Sequence, residues 1–251
     1  MKLTVLGSGG WIPTKKRQTC TYFMEIEDNL IFLDTGTGMS RLCNYTSIFD
    51  KYNTINIIYS HYHLDHVIGL IYLPNWIKDH RVRIWGPGTS FYGKSCQEIL
   101  SSMISSPFFA LPIDKFSKEI EIHDYDANGF NFNDKIDVLI NAQKHSDPSF
   151  GITIGNYIHY ATDTNVIEST FQRSEHVKYL LHECWDIQYD AKTEHSSVSE
   201  ILRMTRKYSI ANFGLIHINP NWSKEDEDNI SYLLKEFTNA KLLNDGDVII
   251  L

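Results

Sequence analysis

Six consecutive residues constrain this chain more than any others: His61-Tyr62-His63-Leu64-Asp65-His66. Three imidazoles and a carboxylate follow directly on Ile55-Asn56-Ile57-Ile58-Tyr59, an apolar, β-branched run that reads as a buried strand. Histidine is the commonest metal ligand near neutral pH, and Asp completes a nitrogen and oxygen set suited to zinc or manganese. On an extended or turning backbone His61 and His63 point to the same side. Asp65 and His66, at the start of the next helix, face a second position nearby.

The other elements fall around this strand. Lys2 to Leu6, Thr21 to Glu27, Ile31 to Asp34 and Val82 to Trp85 read as strands in the first third of the chain. Later strands are expected at Glu119–His123, Asp137–Ala142, Gly151–Ile154, Tyr157–Ala161, Val177–His182, Asn212–Ile216, Lys241–Leu243 and Val248–Leu251. Helices are expected from Val67, over Ser90–Met103, over Ser196–Lys207, and from an N-cap at Ser223 to about Phe237. Strands in groups with helices between them predict two sheets covered by helices. No linker interrupts the 251 residues, so a single domain over 1–251 is expected.

Charge narrows the function. There are 23 basic and 31 acidic residues, a net charge of −8, which argues against a general grip on an extended polyanion. A small anionic substrate remains open if the site carries its own positive charge, such as a metal. Cys20, Cys43, Cys96 and Cys184 form no C-x-x-C pair, and no apolar run is long enough to span a membrane. A cytoplasmic protein is expected.

H-x-H-x-D-H after a strand resembles the metal motif of the metallo-β-lactamase superfamily, and the resemblance extends over almost the whole chain. Leu33-Asp34-Thr35-Gly36 is similar to that family's Asp-Thr-Gly turn, whose aspartate supports the metal site from behind the ligands. His145, Asp163 and His217, each at the end of a predicted strand, match the later ligands. The resemblance implies an α+β fold, the four-layer αββα sandwich. It also implies two divalent metal ions, zinc (Zn2+) first and manganese (Mn2+) as the other candidate. His61, His63 and His145 would hold one ion, Asp65, His66 and His217 the other, with Asp163 between them. Two ions about 3.5–4 Å apart can hold a hydroxide and clamp both oxygens of an in-line displacement, which makes hydrolysis the natural reaction.

Two further segments, Leu6-Gly7-Ser8-Gly9-Gly10-Trp11-Ile12-Pro13-Thr14 and Glu194-His195-Ser196-Ser197, resemble the ribonuclease Z-like branch. In that branch the histidine contacts the scissile phosphate and helps the leaving oxygen depart. His195 and Asp65 are therefore the candidate catalytic residues, His195 as general acid and Asp65 as a ligand too. A tRNA 3′-processing endonuclease is one reading. Against it, His145 and Asp163 are only 18 positions apart, where that family usually inserts a long basic arm. Ser105 to Pro112 resembles a loop of small phosphodiesterases acting on cyclic phosphates, the anti-Pycsar proteins among them. It makes Phe108 and Phe109 candidates for a nucleobase wall or a dimer contact. The implied activity is hydrolysis of 3′,5′-cyclic nucleotides, pyrimidine ones included, by a homodimer. A β-lactam or thioester hydrolase would share the fold and metals without needing a His195 element. A metal-free binding member would have lost ligands, and none is lost here.

Overall fold

Apolar, β-branched runs become the middle strands of two seven-stranded sheets. The computed structural model describes residues 1–132 and 135–251. The chain divides into two units, one made of Met1–Gly7, Lys16–Asp126 and Asp245–Ile250, the other of Ser8–Lys15, Ala127–Asn244 and Leu251. Elements are numbered along the chain.

The first unit holds β1 (Lys2–Gly7), β2 (Thr21–Ile26), β3 (Asn29–Leu33), β4 (Thr54–Ile58), β5 (Arg81–Pro87), β6 (Glu119–Tyr125) and β14 (Val248–Ile250). Their order is β14-β1-β2-β3-β4-β5-β6. Pairing is antiparallel from β14 to β3 and parallel from β3 to β6. β3 is buried along its whole length, and β4 at every residue but Thr54, as parallel strands covered on both faces must be. Alternate residues Leu30, Phe32, Ile55, Ile57, Val82 and Ile84 share one face and one core cluster with Leu70, Leu100 and Phe116.

Short helices α1 (Leu64–Val67), α2 (Pro74–Ile77), α3 (Thr89–Tyr92) and α4 (Cys96–Met103) complete this unit. The single helix expected over 90–103 is two. Gly93, at φ +67°, ends α3, and Ser95 opens α4 through a reciprocal capping box with Glu98. The helix expected from Val67 is a 3₁₀ turn over Ile68–Tyr72.

In the second unit β7 (Phe130–Phe132), β8 (Ile136–Ala142), β9 (Phe150–Ile154), β10 (Ile158–Ala161), β11 (Tyr179–Glu183), β12 (Asn212–Ile216) and β13 (Asn239–Leu242) form a sheet in the order β13-β12-β11-β10-β9-β8-β7. Strands β10 to β13 run parallel, and β7 to β10 antiparallel. The helices are α5 (Glu168–Ser174), α6 (Val198–Lys207) and α7 (Lys224–Leu233). α6 buries Val198, Ile201, Leu202 and Thr205, the face its spacing predicts. Ser223 caps α7 and bonds reciprocally with Asp226.

Parallel strands place loop residues at their carboxyl ends, where open sheets bind ligands. Asp34 follows β3, and Ser60 and His61 lie just beyond β4. In the other sheet Asp163 lies just beyond β10, Glu183 ends β11, and His217 follows β12.

Two histidines of the second unit are structural. His159 on β10 and His182 on β11 have no exposed surface, and burial, joined at His159 by the neighbouring His182 and Arg173, lowers them to about 3 and about 4. Their Nδ1 atoms bond the Thr153 hydroxyl and the Glu183 carbonyl, as neutral rings can. An unfolded histidine titrates near 6.5, so between that pH and about 4 the unfolded chain binds more protons than the folded one. The stability contributed by the neutral rings is present above about 6.5 and is lost as pH falls below it. Tm measured against pH is expected to fall steeply from pH 6.5 to 4, with a shallower fall in His159→Gln. Equal slopes in the two proteins would remove this assignment.

Candidate functional site

Three of the histidines named from sequence cluster in the first unit. The His61 and His63 rings lie 4.6 Å apart, and the His61 and His66 rings 4.3 Å apart. Asp65 Oδ2 is 3.4 Å from His66 Nε2. Behind them stands Asp34, fully buried. Its carboxylate accepts from the Ser60 amide at 2.8 Å and the Ser60 hydroxyl at 2.7 Å, and lies 2.7 Å from His66 Nδ1. The Ser60 hydroxyl also lies 3.0 Å from His61 Nδ1. Since Ser60 donates its single proton to Asp34, His61 must donate to Ser60, and His66 to Asp34. Both rings thus carry hydrogen on Nδ1, which leaves Nε2 of each as the nitrogen able to ligate a metal.

The second unit brings together His145, Asp163, His195 and His217. Asp163 offers its oxygens to different partners: Oδ1 is 3.6 Å from His145 Nε2, and Oδ2 is 3.2 Å from His217 Nε2. Ligand atoms of Asp163, His195 and His217 all lie within 4.8 Å of one another. Asp34, Asp163 and His217 have φ of +52°, +48° and +50°, a left-handed backbone uncommon outside glycine. That strain, about 1–3 kcal/mol per residue, concentrates at functional sites. Gly10 explains part of the glycine-rich opening, because a Cβ there would overlap the His217 imidazole.

His195 is held by a residue the motifs do not reveal. Glu183, fully buried, places Oε1 3.0 Å and Oε2 3.2 Å from His195 Nδ1, and also accepts from the Thr164 amide at 2.7 Å. Trp185 stacks on the His195 ring at 4.8 Å. Burial works against charge on His195, but Glu183, with Asp163 and Asp186 beyond it, outweighs burial and holds the imidazolium up to about 9. Burial pushes the Glu183 carboxyl above its ordinary range, while His195 and His217 pull it back. Two N–H donors on Glu183 favour its carboxylate form, so the pair is carboxylate and imidazolium. His195 lies just ahead of α6, whose cap is Ser197, and not on the helix.

The family model of the anti-Pycsar protein Apyc1 matches residues 1–238. The chain belongs to the anti-Pycsar Apyc1 family. Among curated proteins, this Apyc1-family chain is 24% identical to a ribonuclease Z of Pyrococcus abyssi, over 89% of this chain and 88% of that one. It is 22% identical to a ribonuclease Z of Thermococcus sibiricus, over 90% and 89%. Among solved structures it is similar to the metallo-β-lactamase fold protein YhfI of Bacillus subtilis, with a TM-score of 0.77 and 19% identity over 99% and 98% of the two chains. Human tRNase Z, short form, aligns with a TM-score of 0.66 and 17% identity over 100% and 99%. The fold is the α+β metallo-β-lactamase fold, and this Apyc1-family chain is a metal-dependent hydrolase of the phosphodiesterase type.

The donor set fits divalent metal. Imidazoles whose Nδ1–H is fixed by a carboxylate or hydroxyl, and a carboxylate turning each oxygen to a different imidazole, are the ligand chemistry of such ions. Phe108 and Phe109 part company: Phe108 is 80% exposed, whereas Phe109 packs edge-on against Phe116. The signal that points to Glu183 is its place, the one carboxylate of a fully buried strand, at its end.

Proposed function

We propose that the protein hydrolyses 3′,5′-cyclic nucleotides, pyrimidine ones among them, to nucleoside monophosphates. In this reading His61, His63, Asp65, His66, His145, Asp163 and His217 hold two divalent ions, zinc first and manganese second. When bound, the ions supply a nucleophile at neutral pH and positive charge beside phosphorus. A cyclic phosphate carries one negative charge, so it needs no basic surface, which suits a net charge of −8.

The observation that carries the proposal is the Glu183–His195 pair. Glu183 fixes Nδ1, so the proton His195 gives up is the one on Nε2. A ribose alkoxide is a poor leaving group and needs that proton, whereas a β-lactam or thioester does not need an acid of this kind. Asp34 and Ser60 keep His61 and His66 in the ligating tautomer throughout. Of Phe108 and Phe109, Phe108 is the one that reaches solvent, as a base wall or the contact of a homodimer. We place the protein in the cytoplasm; among the described residues no helix is long and apolar enough to cross a membrane.

Processing of tRNA 3′ ends is the second reading, favoured by the ribonuclease Z relatives. Against it, residues 146–162 make only the β9–β10 hairpin with its turn at Gly155. A panel of cyclic CMP, UMP, AMP and GMP, bis(p-nitrophenyl) phosphate, precursor tRNA and nitrocefin separates these activities. Turnover of cyclic nucleotides with untouched tRNA and nitrocefin is expected. Cleavage of tRNA with intact cyclic nucleotides would overturn the proposal.

A further inference from the structure

The opening segment contains a residue that the metal and acid chemistry does not use. Trp11 is 62% exposed. Its backbone has φ +61°, and the Ile12 amide bonds the Gly10 carbonyl at 2.8 Å across it. That closes a three-residue turn with Trp11 at the apex, in the rarer and strained hand of the γ-turn. Strain of this sort persists where surrounding structure fixes it.

Here the surrounding structure is the His217 loop. Gly10 N–H bonds the Ile218 carbonyl at 3.1 Å, Ile218 N–H bonds the Ser8 carbonyl at 3.1 Å, and Gly9 bridges Ile218. The Gly10 Cα presses on the His217 imidazole so closely that no side chain fits. Consecutive Cα atoms are about 3.8 Å apart, so the Trp11 side chain leaves the backbone one residue from that imidazole. Pro13 stiffens the exit from the turn. The segment therefore holds a largely exposed tryptophan next in the chain to the glycine that abuts His217.

We propose that Trp11 is a base platform: its indole stacks on the nucleobase of a nucleotide whose phosphate lies at His217 and Asp163. The inference rests on the cyclic-nucleotide reading and adds the group that recognises the base. Every base has a π-face, so stacking raises affinity for all nucleotides and leaves the choice among them to other contacts. The indole touches no reacting atom, so its loss should act on KM and spare kcat.

The test compares cyclic UMP with methyl β-D-ribofuranoside 3′,5′-cyclic phosphate, which keeps the ring phosphate and lacks a base. Trp11→Ala is expected to raise KM for cyclic UMP by about 5- to 150-fold, the range that base stacking spans, with kcat near wild type. KM for the base-free phosphate should not move, and Trp11→Phe should restore most of the loss on cyclic UMP. Equal changes on both substrates, or no change on either, would overturn the platform. If wild type cleaves bis(p-nitrophenyl) phosphate but no cyclic nucleotide, the substrate reading fails by itself. Equilibrium dialysis of UMP then decides on Trp11: at least about fivefold weaker binding by Trp11→Ala keeps the platform, and equal Kd values remove it.

Discussion

Protein stripped by a chelator is expected to hydrolyse no phosphodiester, and His61→Ala and Asp163→Ala should lose metal and activity together. The reason is local. His61 has no exposed surface, and its Nδ1 is engaged by Ser60 at 3.0 Å, so Nε2 is the nitrogen it can give to an ion. Asp163 turns one oxygen toward His145 and the other toward His217, so alanine there removes a donor from both sides at once. As-purified protein should carry about two ions per chain. Binding also couples to folding: free metal at 100 times its Kd stabilises the native state by about 2.7 kcal/mol, so adding metal should raise Tm in wild type and much less in either variant. Asp34→Asn is the graded control. It keeps a side chain of the same shape but weakens the grip on His66 Nδ1, and loss of such a partner lowers metal affinity by about 10–100-fold. A stripped protein with full activity, or variants that lose activity with metal content and Tm response intact, would sink the metal assignment.

The sites that announced themselves in sequence are those where chemistry needs several polar side chains in a short span after an apolar strand. His61 to His66 qualifies by density, and Asp34 by its turn. His145, Asp163 and His217 were readable as residues that end strands or follow them, but only in company with that first cluster. Glu183 was not readable in this way. It is one carboxylate among many, twelve positions from His195, and its role exists only because its place at the end of β11 puts it against the His195 loop. The left-handed backbones of Asp34, Asp163 and His217 were equally invisible, since Asp and His tolerate that conformation without any signature residue nearby.

The division of the expected helix over 90–103 into two has a legible cause. Gly93 and the Ser95-to-Glu98 spacing are the stop and start signals of two helices, and helical periodicity on either side masked them. β7 is three residues long, too short for its alternation to stand out. Gly10 shows a different limit. Its resemblance to a family opening was visible, but the physical reason, an imidazole where a Cβ would stand, required coordinates.

His195→Ala should separate chemistry from metal binding. Loss of a general acid lowers kcat by about 10²–10⁴-fold, while ions held by other residues stay in place. The defect should shrink on a p-nitrophenyl phosphodiester, because nitrophenolate departs without a proton and a ribose oxygen does not. The competing role is concrete: ligand atoms of His195, Asp163 and His217 lie within 4.8 Å, close enough for His195 to be a ligand. A ligand predicts metal lost and both substrates slowed alike, and that pattern would remove the acid assignment. Glu183 supplies an independent readout. The imidazolium is held up to about 9 by the neighbouring carboxylate against the opposing effect of burial, so the acid form is full at lower pH and is lost as pH rises through that value. The alkaline fall of kcat should therefore move to lower pH in Glu183→Gln, where the carboxylate charge that holds the proton is gone. Equal alkaline limbs in wild type and Glu183→Gln would show that the proton lost on that side belongs to another group.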